Sequence, residues 1–205
     1  MNSQVCILDY GSGNVRSVAN ILASLDVEFV VSNKSADIAG ASHLILPGVG
    51  AFGAVMEKIR QKIDLKVLEK QTLKNKKPFL GICVGMQILA EKGYEFGEHD
   101  GLGWISGSVR KMNPKKLPLP HIGWNNVDVV KSSGLFHSLG EHPDFYFVHS
   151  FSFQTTKEEA VVAYTDYGGK FVSAVSKENI FGVQFHPEKS QKVGAVVLSN
   201  FLKIR

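Results

Sequence analysis

Apolar residues in this chain follow two patterns, and the change between them falls near the middle. In the first half, runs of four or five apolar residues alternate with stretches whose apolar positions recur every three or four residues. The short runs are residues 4–8, 27–31, 43–46 and 79–82, each of strand length. Between them, Val15, Val18, Ala19, Leu22 and Leu25 fall on one helical face. Residues 54–62 and 64–75 also read as helices, and residues 86–92 as the helix leaving the fourth run. Short apolar strands separated by helices predict a parallel sheet covered on both faces.

The second half has little helical period. Residues 101–112, 126–130, 145–148 and 160–165 alternate or are rich in β-branched side chains. They predict a mixed or antiparallel layer added to the parallel sheet. Residues 171–176 and 180–185 flank Lys177-Glu178-Asn179 and read as a hairpin. A last helix over residues 191–204 puts Val193, Val196, Val197, Phe201 and Ile204 on one side. No linker, repeat or low-complexity tract interrupts the chain, so one α/β domain over residues 1–205 is expected.

Composition narrows the classes. Hydrophobic residues make up 44% of the 205 positions and charged residues 20%, which suits a packed core and argues against disorder. The net charge of +4 is mild. The densest basic clusters, Lys74-Asn75-Lys76-Lys77 and Lys115-Lys116, fall far short of a nucleic-acid stripe and read as solvated loop charge. No apolar run approaches the ~18 residues that span a bilayer. The N-terminus enters a strand directly, without the pattern of a signal peptide. The two cysteines, Cys6 and Cys83, make no disulfide framework, and a reducing, cytoplasmic setting is expected.

Cys83 carries the candidate chemistry. It stands in Gly81-Ile82-Cys83-Val84-Gly85, between an apolar strand and a predicted helix. Small residues two before and two after a nucleophile permit the sharp turn that lifts its side chain from the sheet. A thiol placed there faces the positive end of the helix, which favours thiolate. Cys6 lies inside an apolar run and is expected in the core. About a hundred residues downstream, His186-Pro187-Glu188 follows another apolar strand. A histidine within reach activates the thiol and returns its proton to a leaving amine, and Glu188 orients the imidazole. Cys, His and acid in this order suit acyl transfer through a thioester.

Three other segments are candidates. Pro47-Gly48-Val49-Gly50-Ala51-Phe52-Gly53 follows a strand. It reads either as a flexible turn or as an oxyanion donor, the second donor being the N–H of Val84. Tyr10-Gly11-Ser12-Gly13-Asn14 is an incomplete dinucleotide fingerprint and reads as a turn at the active edge of the sheet. Pro120-His121-Ile122-Gly123-Trp124-Asn125 reads as a loop, whose Trp124 suits an interface if exposed and a core if buried. The remaining histidines have no metal-ligand spacing, and neither a metal nor another cofactor is expected.

Taken in order, the segments Tyr10–Asn14, Leu46–Phe52, Gly81–Gln87, His121–Asn125, Val148-His149-Ser150-Phe151 and Gly182–Ser190 span nearly the whole chain. Together they resemble class I (triad) glutamine amidotransferases, and among these the glutaminase subunits of imidazole glycerol phosphate synthases. The resemblance implies a single-domain, flavodoxin-like three-layer fold. It implies that Cys83, His186 and Glu188 hydrolyse glutamine to glutamate and ammonia. It puts Val49, Gly50 and Val84 at the oxyanion hole, and Gly50, Gln87, His149 and Ser150 around glutamine. It turns Asn14, Trp124 and Lys189 toward a partner, a (β/α)8-barrel cyclase that receives the ammonia and forms imidazole glycerol phosphate for histidine biosynthesis. The oxyanion loop is then inactive until the cyclase is occupied. Phe151 stands where such proteins often have Tyr, so a hydroxyl contact is lost. Three other readings share the residues: a paralogous subunit feeding surface-sugar amidation, a stand-alone γ-glutamyl hydrolase, and a glutamine-binding regulatory subunit with a dead triad.

Overall fold

The computed structural model describes residues 4–205. Its parallel strands are β1 (Val5–Leu8), β2 (Phe29–Ser32), β3 (His43–Gly48), β4 (Phe79–Cys83) and β14 (Ile180–Val183). They run in the order β2-β1-β3-β4-β14. Every residue of β1, β3, β4 and β14 is buried, as expected for strands covered on both faces. The helices between them are α1 (Val15–Ser24), α2 (Ser35–Gly40), α3 (Phe52–Lys62) and α4 (Leu65–Glu69). A π-helical turn, Lys70–Lys74, continues α4. Asp64 caps α4 by accepting from the N–H groups of Lys66 and Val67.

Beyond β14 the same sheet becomes mostly antiparallel. It continues through β13 (Lys170–Lys177), β11 (Phe151–Gln154) and β7 (Ser108–Lys111) to β5 (Lys92–Gly93) and β6 (His99–Asp100). The strands β12 (Val161–Asp166) and β9 (Asp128–Val129) branch from β13. Lys177 pairs with Ile180, so the expected hairpin is present, with a two-residue turn in which Glu178 takes φ 54°. The added layer matches the expectation, although within residues 101–112 only Ser108–Lys111 is strand.

Two elements beside the catalytic edge differ from expectation. Residues 120–125 are not a loop: His121–Asn126 is strand β8, which pairs with β10 (Asp144–His149) as a separate two-stranded antiparallel sheet. The helix leaving the elbow, α5, is a single turn at Val84–Gln87 rather than residues 86–92. Residues 81–90 are all buried, so no amphipathic period marked its end. A helix this short supplies free first-turn N–H groups but little macrodipole.

The C-terminal helix α6 (Gln191–Phe201) stops three residues earlier than expected. It packs beside the 3-10 turn Pro187–Lys189. Gly194 is required there, because a Cβ would collide with the Pro187 carbonyl oxygen. Aromatic side chains fill the space below β10, with Phe145 stacked on Phe185 at 3.9 Å.

Candidate active site

The site forms at the C-terminal edge of the parallel strands, where open α/β sheets bind ligands. In the register Gly48 lies beside Cys83 and Ile82 beside Val183. The loops after β1, β3, β4 and β14 therefore meet at one edge. Cys83 has φ 55° and ψ −112°, a strained conformation for a residue with a side chain. Crowding by its neighbours enforces it. A Cβ on Gly81 would strike the Gly85 carbonyl, and one on Gly85 would strike the Leu46 carbonyl. The frame read in the sequence as a permissive turn is a close contact between β3, β4 and α5.

His186 and Glu188 are held on the turn after β14. Ser190 fastens this turn to β10: its hydroxyl donates to the His186 carbonyl (2.6 Å) and accepts from the Tyr146 N–H (3.0 Å). The His186 N–H in turn donates to the Tyr146 carbonyl at 2.8 Å. The His186 Nδ1 lies 2.7 Å from Glu188 Oε1, and both side chains are shielded from solvent. Burial works against a charged His186. The neighbouring Cys83 and Glu188 outweigh it and bring the pKa up to about 10. Its Nε2 is buried and makes no well-formed hydrogen bond, so Cys83 is near but not yet in line. Cys83 Sγ sits 4.0 Å from the Val148 carbonyl and accepts from Gln184 Nε2 at 3.6 Å.

Asn14 occupies the N-cap of α1 but makes no capping bond. Its Nδ2 donates to Glu188 Oε1 at 3.0 Å, and its Oδ1 accepts from Ser17 Oγ at 2.7 Å. Expected at the partner face, Asn14 is also the second hydrogen-bond donor to the Glu188 carboxylate.

A pocket of about 360 Å³ opens over Cys83, at the small end of ligand pockets (roughly 300–1,000 Å³). Val49, Gly50, Val84, Gln87, His149, Ser150 and His186 line it with Cys83, so the expected oxyanion and glutamine-binding residues share one cavity with two of the three catalytic candidates, Glu188 lying behind His186. Gly50 has φ 111°, which frees the loop after β3 from the usual backbone limits. Val49 is exposed, and its carbonyl accepts from Ser12 Oγ at 3.4 Å. Gln87 Nε2 donates to the Phe151 carbonyl (2.9 Å) and to Gln184 Oε1 (3.0 Å). Both its amide protons are committed to protein, so only Oε1 is left to accept from a ligand.

No sequence motif marks Glu95. It lines the pocket, and its Oε2 accepts from the Phe52 N–H at 2.9 Å, closing the N-terminus of α3 beside the Gly50 loop. Gln184 is visible in the sequence only as part of the Gly182–Ser190 segment. Trp124 and Lys189 lie outside the pocket. Trp124 is 48% exposed and meets Tyr146 edge-on at 6.2 Å, while Lys189 Nζ lies 5.6 Å from the same Tyr146 ring. Cys6 is fully buried in β1, and both cysteines are free thiols. Among the described residues, no group of three or more His, Cys, Asp or Glu could hold a metal. No helix among them is long and apolar enough to cross a membrane.

Comparison with known proteins points the same way as the geometry. Solved structures with low identity share the fold. A glutamine amidotransferase from Thermotoga maritima superposes with TM-score 0.71 at 14% identity, over 100% of each chain. PurLQS from the same organism gives 0.73 at 18% identity, over 98% of each chain. Closer in sequence is the imidazole glycerol phosphate synthase subunit HisH of Zymomonas mobilis. It is 44% identical, over 98% of this chain and 96% of that protein. Subunit HisH 1 of Campylobacter jejuni is 41% identical, over 98% of this chain and all of its own. The family model for glutamine amidotransferase class-I matches residues 6–204, and this chain belongs to that family.

Proposed function

We propose that this protein is the glutaminase subunit of an imidazole glycerol phosphate synthase. In this reading it hydrolyses glutamine and passes the ammonia to a cyclase subunit in histidine biosynthesis. The observation that carries the chemistry is the strained Cys83 beside a buried His186–Glu188 pair, in a pocket sized for a small ligand. The end-to-end similarity to HisH subunits supports the pathway.

The reaction follows from the groups present. The raised His186 pKa keeps a proton on the imidazole at neutral pH, ready for the thiolate form of Cys83 to act beside it. Cys83 Sγ attacks the side-chain amide carbon of glutamine. The C–N bond breaks as His186 donates its proton to the leaving nitrogen, giving ammonia and a γ-glutamyl thioester. Water then attacks the thioester. His186 takes the water's proton, and glutamate leaves as the thiolate re-forms. Asn14 and the Nδ1–H of His186 both point charge-stabilising donors at Glu188, which steadies the imidazolium. The N–H of Val84 and the Val49–Gly50 loop would meet the oxyanion. The Glu95 carboxylate and Gln87 Oε1 are acceptors suited to the substrate's α-ammonium group.

Ile122, Trp124, Tyr146 and Val148 share the outward face of the β8–β10 ribbon, with Lys189 beside it. The same Val148 borders the pocket next to Cys83. A cyclase barrel seated on this face would receive ammonia close to where it forms. The test is glutamate release from glutamine, with and without a histidine-pathway cyclase and its ribonucleotide. We expect at least a hundredfold stimulation, about 2.7 kcal/mol of barrier, and no turnover by Cys83→Ala with its circular dichroism unchanged. An intact, active enzyme indifferent to the cyclase would mean a different acceptor of ammonia. Turnover by Cys83→Ala near the wild-type rate would refute the nucleophile.

A further inference from the structure

Behind the pocket lies a chain of hydrogen bonds in which every proton has only one possible place. It runs from the ribbon to the pocket wall. Asn125 Nδ2 lies 3.4 Å from His121 Nε2 and donates to the Asp166 carbonyl at 2.8 Å. His121 Nδ1 lies 3.1 Å from His149 Nε2. His149 Nδ1 lies 2.9 Å from the Phe151 carbonyl oxygen. That same oxygen accepts from Gln87 Nε2 at 2.9 Å.

The direction of each bond follows from chemistry. A carbonyl oxygen only accepts, so His149 carries its proton on Nδ1. Its Nε2 is then an acceptor, and His121 must donate from Nδ1. His121 Nε2 is left as an acceptor, and the Asn125 amide is the donor that meets it. Both rings are neutral in this arrangement. Burial agrees, pushing the His121 pKa down to about 4 and that of His149 to about 3. Each ring is buried, and His121 is further fixed by stacking on Tyr167 at 4.0 Å and on Phe147 at 4.9 Å.

Of the side chains in this chain, His149 and Gln87 were expected around glutamine, whereas no role at the site was expected of Asn125, and His121 was expected only as part of a loop. The two donors on the Phe151 oxygen fill both of its lone pairs. They thereby fix the orientation of the Gln87 amide, and with it the acceptor Gln87 offers to the pocket. We propose that His121, oriented by Asn125, is a positioning residue for glutamine binding: it holds His149 in the Nδ1–H form that anchors the Phe151 carbonyl and Gln87. It does not reach the reacting atoms. It acts from the inward face of the strand whose outward face carries Ile122 and Trp124. The inference rests on the glutaminase reading above.

Two variants and one spectroscopic measurement test it. His121→Phe keeps the stacking ring and removes the donor. His121→Asn places an N–H close to the position of the ring Nδ1 and restores it. With the cyclase and its ligand present, His121→Phe should raise the KM for glutamine roughly tenfold while kcat stays within threefold. His121→Asn should return KM to within threefold of wild type. Independently of activity, two-bond proton–nitrogen correlations of the 15N-labelled wild type at pH 7 should show His149 and His121 as neutral Nδ1–H tautomers. In His121→Phe, His149 should lose its single tautomer. An unchanged KM in His121→Phe would overturn the proposal, as would His121→Asn no better than Phe, or an Nε2–H tautomer at His149. If instead the wild type with its cyclase releases no glutamate, the glutaminase reading fails while the tautomer result still stands or falls on its own.

Discussion

At the scale of residues, three histidines with the same intrinsic chemistry are set to different tasks by their neighbours. His186 has a carboxylate and a thiol beside it and holds its proton to about pH 10. His121 and His149 have no carboxylate beside them, and burial keeps them neutral down to about pH 4 and about pH 3, the nearby His121 and His186 rings adding to the effect at His149. The signs for stability are opposite. A raised pKa contributes stability below the unfolded value of ~6.5 that is lost as pH rises toward 10. The depressed values contribute stability above ~6.5 that is lost as pH falls toward 4 and 3, at up to about 1.4 kcal/mol per pH unit for each ring. Urea unfolding of the wild type should therefore weaken steeply between pH 6.5 and 4. His121→Phe should show a shallower slope over that window, having lost one of the two groups; equal slopes would disprove the neutral assignment of His121. The sequence made His186 legible through its Pro187-Glu188 neighbours. It could not show that His121 faces His149, because that meeting depends on an antiparallel register across 28 residues of separation.

At the scale of elements, the most demanding packing surrounds the shortest helix. Gly85 touches the carbonyl of Leu46 in β3, and Gly81 touches Gly85 across the elbow. Gly85→Ala should cost at least the about 1–3 kcal/mol of an overpacked core and lower activity with it. Gly140→Ala is the matched control, since nothing lies within 4 Å of its Cβ position. A differential scanning comparison in which both variants melt together would refute the close-packing account. The Gly-x-Cys-x-Gly frame was plain in the sequence because its chemistry is local. Helix α2 was not, because Ile38 is its one buried hydrophobic residue and a single apolar position has no period. Strand β8 was hidden for a different reason. Gly123, Asn125 and Asn126 are poor strand formers, and the segment is extended because β10 pairs with all six of its residues. Asn14 shows the reverse case, a good capping residue whose side chain is turned from its helix toward Glu188.

At the scale of the whole molecule, the site sits between the parallel sheet and the small ribbon, and the ribbon's outer face is the apolar surface left uncovered beside it. Trp124 at its centre has the character of an interface anchor. Trp124→Ala should weaken binding to the cyclase by at least thirtyfold in a fluorescence or calorimetric titration, while glutaminase activity of the free subunit stays near wild type. Binding of unchanged strength would move the interface elsewhere. The parallel half of the fold and the motifs at its edge could be read from the chain. The ribbon's place could not, because nothing local says that β10 pairs with β8 outside the main sheet up to His149 while β11 joins the main sheet from Phe151. In β8, His121 is buried and Gly123 and Asn125 are partly covered, whereas Ile122, Trp124 and Asn126 are open to solvent. On the proposed reading of the two faces, this alternation interleaves two kinds of information in six consecutive codons. A saturation library across them should sort by parity, odd positions altering how glutamine is held and even positions altering who is bound, so the two traits can drift separately though no codon boundary keeps them apart.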